Sequence, residues 1–381
     1  MAKLDLLLVG GGLSSVLLAI AFRSYRPNAS VLLVEAKKNL LGNQTWSFHN
    51  QDLALRSINP DWIMPLVNRT WPEYNVTFPN YERNLQLTYH SIRASSLRAH
   101  FQKLGIPHLL ESKVTQISGT SATLSDGKCI DAHLVIDGRG YQQTDSFKGG
   151  YQKFYGQWLK TTQPHNLKAP ILMDANVSQA DGFHFMYVLP WDQQLLLLED
   201  TYYTLSKELD TNRSRKVIGE YQKQHGWNDA DLIEEESGTL PIPFSIKRPS
   251  HPSGGLRGAL FHPTTGYSFP FAAHMAQWLA ENKKIGNLTE NIWLAKQNRA
   301  LTTQHLFYRL NRAWFQLSPP HERYKFIEHF YKLPESVISS FYSGQFGWKA
   351  RIQLFARKPP VPIVAGLKSF MQPIEEGFYA S

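Results

Sequence analysis

A short apolar run, Leu4–Val9, opens the patterned part of the chain and ends in three consecutive glycines, Gly10, Gly11 and Gly12. A run of that length closed by glycine predicts a buried strand. Residues 15–25 then read as a helix, with Arg23 and Arg26 suited to its C-terminal end and Pro27 stopping it. Val31–Val34 reads as a second strand, with Glu35 at its tip. Further on, the pattern predicts a helix over 91–104, ended by Gly105 and Pro107. Strands are expected over 114–124 and 129–136 around an Asp126-Gly127 turn. Segments 183–189 and 194–200 read as strands inside a stretch, 151–236, with no glycine-rich fingerprint. Residues 258–267 predict a strand and a proline–glycine turn leading into an apolar helix from about Phe271.

The 17 uncharged residues from Leu6 to Phe22 imitate a signal-peptide core. The glycine triplet in their middle would cost about 1 kcal/mol per residue in a continuous helix, and Lys3 is offset by Asp5. Neither a signal peptide nor a transmembrane helix is therefore expected. At 381 residues the chain is too long for one ordinary core. Its single cysteine, Cys129, rules out a disulfide framework or a cysteine-rich metal site, and no metal is expected. The formal charge of +9 leaves anionic membranes, nucleic acid or an acidic ligand as partners. The basic residues are dispersed and no nucleic-acid-binding signature accompanies them, so nucleic acid is set aside.

The strand, glycine turn, helix and second strand form the pattern of a dinucleotide site. Gly10 and Gly12 let the backbone approach a pyrophosphate, and the helix N-terminus offers unpaired N–H groups. Glu35, 25 residues after Gly10, can bind a ribose hydroxyl. Ser15 stands where the third glycine of the fingerprint would be; it is small enough for close helix–sheet packing. Asp137-Gly138 ends one later strand, and Pro263 with Gly266 forms the later turn. Three such turns along one chain suit FAD better than a nicotinamide dinucleotide.

Four leucines, 195–198, lead into Glu199 and Asp200. On a strand, alternation sends these two carboxylates to opposite faces. One of them, if buried, would be neutral and able to donate a proton; alternatively, the pair ends a strand at the surface. Glu234-Glu235-Glu236 reads as a solvated helix face. The last 81 residues hold 16 aromatics against five acidic residues, in stretches such as 306–315, 329–334 and 341–344. They read as helical, forming either a bundle with an aromatic core or a surface that meets lipid headgroups.

Collinear motifs then carry a resemblance nearly end to end. They include DLLLVGGGLSS (5–15), GNQTWSFH (42–49), VIDGRGY (135–141), PILMDA (170–175) and LLEDT (197–201). GTLPI (238–242), GLRGALFHPTTGYSFP (255–270) and KPPVP (358–362) complete the series. In these the chain resembles the bacterial lycopene β-cyclases. The resemblance implies an α/β fold: a Rossmann-type, glutathione-reductase-like FAD-binding domain over 1–60, 85–150 and 251–300. It implies an interleaved β-sheet substrate domain over 61–84 and 151–250, and a C-terminal helical region over 301–381. It implies an isomerase that turns the acyclic ends of lycopene into β-ionone rings, giving β-carotene by way of γ-carotene. Such enzymes use reduced FAD, kept reduced by NAD(P)H, without net redox change. Glu199 is then the expected acid, with Asp200 orienting or tuning it. Gly10, Gly12, Ser15 and Glu35 would serve the adenosine half of FAD, and Asp137, Gly138, Pro263 and Gly266 the flavin side. Trp46 and His49 are expected to line the flavin ring or substrate tunnel. His262 is either a second proton-handling group or a packed turn histidine. The lipid-borne substrate favours peripheral attachment to the cytoplasmic side of a membrane through the C-terminal region. A flavin monooxygenase or dehydrogenase acting on a lipophilic isoprenoid is the alternative on the same scaffold. The oligomeric state is not expressed in the sequence.

Overall fold

A computed structural model describes residues 3–140, 148–281, 289–355 and 368–378. Tyr141 and the 358–362 motif lie outside them.

Leu4–Val9 is a central strand of a six-stranded sheet. The sheet runs in the order His108–Leu109, Val31–Val34, Leu4–Val9, Cys129–Asp137, Ser121–Leu124, Val114–Ile117. The first four strands are parallel, and the last two continue antiparallel. Both faces of the central strand are covered from Leu6 to Val9, which is why that part reads as an unbroken apolar run. Leu6 and Leu8 enter a core with the helices Leu13–Tyr25 and Phe269–Glu281, while Leu7 and Val9 enter a second core with Val34 and Val135.

A seven-stranded sheet stands beside it, in the order Asp231–Pro243, Gly149–Lys160, Leu195–Thr204, Phe183–Pro190, Ile171–Asp174, Tyr74–Phe78, Tyr81–Leu85. The helix Thr211–Gln224 covers one face, packing Ile218 and Tyr221 on Leu196, Leu198 and Val188. Toward the other face, Phe185, Leu197 and Tyr203 share a core with the C-terminal helices. A small antiparallel sheet, Thr45–His49, Tyr89–Arg93 and Arg69–Trp71, carries a third set of side chains toward that face.

Several expectations change. The helix expected over 91–104 begins at Ala94, because residues 89–93 are paired to strands on both sides. Residues 114–124 split into a hairpin, Val114–Ile117 and Ser121–Leu124, whose turn is held by Ser118 Oγ accepting from Ser121 N at 2.9 Å. Residues 258–261 form successive turns, with Ala259 at φ 52°, rather than a strand. The glutamate run 234–236 lies in the strand Asp231–Pro243, not on a helix.

The C-terminal region is helical, but most of its aromatics point inward. Phe307, Tyr308, Trp314, Phe315, Tyr331 and Tyr342 are buried. Even its cations are used internally: buried Arg312 donates to the carbonyls of Ser369, Gln372 and Pro373. Exposed apolar side chains occur further on, at Trp348, Ile352 and Met371. No helix among the described residues is long and apolar enough to cross a membrane.

Candidate active site

One cavity of about 480 Å³ runs between the two large sheets. At one end it is lined by Gly12, Leu13, Ser14, Gly138, Gly140 and Gly255, the turns at the carboxyl ends of the parallel strands. At the other it is lined by Glu199, Thr201, Tyr187, Phe185 and Phe154 from the second sheet. Thr45, Trp46, Ser47 and His49 border it from the small sheet, and Tyr267 and Tyr342 from the later turn and the C-terminal helices.

The glycine turn is built for close approach. Gly10, at φ +95°, lies so near the neighbouring turn that a Cβ there would meet Gly138 and Arg139 backbone atoms at 2.7–2.8 Å. Gly12 caps the helix Leu13–Tyr25 without a side-chain bond to the helix. A Cβ on it would meet nothing nearer than 3.9 Å, so the helix N-terminus opens onto the cavity. Ser15 is buried against Gly138, where a Cβ on the glycine would fall 2.4 Å from Ser15 Oγ. Glu35 sits beside the same turn, accepting from Gly11 N at 2.5 Å and Lys37 N at 2.7 Å.

Asp137 is fully buried and does not line the cavity. Burial alone would raise its carboxyl, but hydrogen bonds from His251 and Arg139 hold it well below the usual carboxylate range. Its oxygens brace the chain around Gly138 instead of reaching a ligand. Pro263 likewise stays off the cavity, its carbonyl accepting from Asn311 Nδ2 at 2.8 Å, whereas Gly266 lines it.

His262 is a packed turn histidine. Its Nε2 donates to the Phe341 carbonyl at 2.8 Å and its Nδ1 accepts from Thr264 N at 3.2 Å. It does not line the cavity, so the proton-handling alternative loses its geometry. His49 does line it, with its ring buried. Tyr74, Tyr89, Tyr267 and Tyr342 surround its ring at 4.7–6.1 Å. Burial lowers its pKa to about 3, so the imidazole is neutral.

The acidic strand separates its two carboxylates. Asp200 points to the far side of the sheet, fully buried, where His184 Nε2 donates to it at 2.5 Å. It is outside the cavity, which removes direct contact with anything bound there. Glu199 faces the cavity, and the uncovered part of its side chain looks into that space. Its nearest acidic neighbour is one that the sequence pattern hid. Glu199 and Glu236 both stand opposite Gly156, on the two strands that flank Gly149–Lys160. Gly156 has no side chain to separate them, and the Cγ atoms of both glutamates close in over its bare backbone.

Glu236 is buried and accepts from Thr45 Oγ1 at 2.8 Å and Trp158 Nε1 at 3.1 Å. Burial, the Glu236 charge and the bond to it together push the Glu199 pKa well above the ordinary range. Burial also raises Glu236, but the bonds from Thr45, Trp158 and Glu199 oppose the rise. One proton is therefore held between the two, and the donors on Glu236 favour its residence on Glu199. Tyr187, the cross-strand neighbour of Glu199, bonds Ser47 and Tyr89 through its hydroxyl at 3.1 Å each. The cavity thus sets a neutral carboxylic acid among electron-rich rings, an arrangement able to protonate an apolar molecule and face the cation formed.

This two-sheet architecture, with a glycine-lined helix N-terminus opening on the cavity, is a fold that solved flavin enzymes share. It matches a geranylgeranyl bacteriochlorophyll reductase-like protein from Thermoplasma acidophilum with a TM-score of 0.66, covering 97% of this chain and 99% of that one at 14% identity. A probable FAD-dependent monooxygenase from Pseudomonas aeruginosa superposes with a TM-score of 0.59, covering 85% of this chain and 98% of that one at 14% identity. Residues 5–368 match the family described as lycopene cyclase protein, and the chain belongs to that family. It is 38% identical to a lycopene beta-cyclase of Pantoea ananas, over 96% of this chain and 98% of the relative.

Proposed function

We propose that the protein is a lycopene β-cyclase that closes the acyclic ends of lycopene by proton-initiated, non-redox cyclisation. The observation that carries this is the continuity of one cavity from the glycine turn to Glu199, whose carboxyl pKa is held above the ordinary range by burial and the neighbouring Glu236. The family and the relative's name supply the substrate class.

The residues present suit FAD. Gly10, Gly12 and Ser15 form the tight turn and open helix end that a pyrophosphate needs, and Glu35, braced beside that turn by the Gly11 and Lys37 amides, is the candidate partner for a ribose hydroxyl. Gly138 and Gly266 border the cavity beyond, with Trp46 and His49 on its wall. Reduced by NAD(P)H and bound here, the flavin would supply negative charge beside a cationic substrate without a net change of redox state.

Glu199 gives its proton to C2 of the terminal alkene. The C5=C6 bond attacks the cationic C1, joining C6 to C1 and passing the charge to C5; C6 then gives up a proton to restore C5=C6, so one proton enters at C2 and one leaves from C6. The faces of Tyr187, Tyr267, Tyr342 and Phe185 stabilise the cation and keep water away from it. Expression in lycopene-accumulating bacteria tests the reading. Cyclised, orange products are expected, and unchanged lycopene beside folded, flavin-loaded protein would overturn it.

The substrate resides in lipid, and the exposed side chains of Trp348 and Ile352 lie one turn apart on the helix Trp348–Phe355, flanked by exposed Lys349 and Arg351. This face is proposed to rest on an anionic membrane surface. The double substitution Trp348→Ser, Ile352→Ser is expected to lower sedimentation with phosphatidylglycerol vesicles at least several-fold, leaving the melting temperature unchanged. Undiminished sedimentation would refute this contact.

A further inference from the structure

Resting on the cyclase reading, we infer that Glu236 is the positioning residue of the reaction, sharing one proton with Glu199 across the bare backbone of Gly156. Three independent features of the fold converge on this pair. The register places residues 199, 156 and 236 side by side on three adjacent strands. Glycine in a strand interior weakens it and marks a place where something must come close. Here a Cβ on residue 156 would lie 2.8 Å from Glu199 Cγ and 3.2 Å from Glu236 Cγ, in the space over which the two carboxyl groups meet. Finally, Glu236 is held from behind by the Thr45 hydroxyl and the Trp158 indole N–H, both donors, which favour its ionised form.

The two acids therefore have separate tasks. Glu236 carries the negative charge and accepts the Glu199 proton, which keeps Glu199 loaded and aimed. When Glu199 protonates C2, two carboxylates are left together in a dry site, an arrangement that is unfavourable by itself. The cation formed on the substrate at that moment offsets it. The pair thus gives up its proton where positive charge is created and regains one afterwards, so each turnover begins with one proton held between two carboxylates.

The sign of the pH effect follows. Glu199 donates only when protonated, so activity is present below its raised pKa and lost as pH climbs through it. Glu236→Gln removes the negative neighbour and offers an amide N–H that favours ionised Glu199. The alkaline limb of the rate profile should move down by about one unit or more. Above that limb, activity should fall roughly tenfold per unit and return on acidification. Gly156→Ala, which parts the two groups without removing either, should move the limb in the same direction.

An infrared pH titration of the protonated-carboxyl band in the flavin-loaded protein reads the same ionisation without turnover. The Glu199 component of the band should persist to higher pH in the unaltered protein than in either variant, and that component, distinct from the one given by buried Asp52, should be missing from Glu199→Gln. A band that titrates at the same pH in the unaltered protein and in Glu236→Gln would overturn the shared proton, whether or not rings are formed. Absence of ring formation by the unaltered protein would instead overturn the cyclase reading. A uniform loss of activity in Glu236→Gln at every pH would reduce Glu236 to a structural group and also count against the inference.

Discussion

Glu199→Gln is expected to lower ring formation by about 10²–10⁴-fold, the range spanned by loss of a positioned general acid, while FAD stays bound. Glutamine has nearly the same shape and can still donate to Glu236, so the strands on either side of Gly156 keep their register. What disappears is the one carboxyl group that lines the cavity among the described residues. Asp200 cannot take its place, because it is fully buried on the opposite face and bonded to His184. Chromatography of the carotenoid products, together with the flavin absorption of the purified variant, checks both halves. Normal cyclisation by this variant would remove the acid from Glu199.

The second large effect lies at the opposite end of the cavity. Gly10→Ala forces a side chain into a left-handed position, φ +95°, and within 2.7–2.8 Å of backbone atoms of Gly138 and Arg139. Backbone neighbours cannot rotate aside, so the cost is about 3 kcal/mol or more. The variant should purify without flavin and melt at lower temperature. Gly12→Ala is the instructive contrast. Its backbone is extended, and its Cβ would meet no atom of the protein closer than 3.9 Å. The flavin-free protein should keep its melting temperature, yet bind flavin more weakly, because the added methyl stands where the pyrophosphate approaches. Flavin absorbance and thermal melting separate the two. Equal behaviour of the two variants would contradict the reading of this turn as a cofactor cradle.

The parts of the fold legible in the sequence are those set by local pattern. Leu4–Val9, apolar from Leu6 and closed by Gly10, and Val31–Val34, which follows Pro27, are both strands over those residues. Alternation alone separated Glu199 from Asp200, although it could not say which face holds the cavity. Glu236 was hidden because its setting is made by partners far away in sequence: Thr45, Trp158, Glu199 and the absent side chain of Gly156. Two signals pointed to it. The segment after Glu236 is strand-like, and a lone glycine interrupts the aromatic-rich strand around Phe154, Tyr155 and Trp158.

Within the glutamate run, alternation then divides the work. Glu235 pairs with Arg215 on the outer face, while Glu234 bonds Arg93 and Glu236 turns inward. The C-terminal aromatics show the converse limit. A helix rich in tyrosine, phenylalanine and arginine has the composition of an interfacial surface, yet tertiary packing buries it. Arg323, buried and stacked 4.5 Å from the Phe315 ring, is a cation spent on the interior.

Turnover of lycopene in heavy water measures the central claim most directly. If an exchangeable acid starts ring closure, each β-ring formed should carry one deuterium, at C2, with no oxygen consumed and no lasting oxidation of the flavin. Rings that contain no solvent deuterium, or that form only with stoichiometric uptake of oxygen, would contradict proton-initiated cyclisation by Glu199.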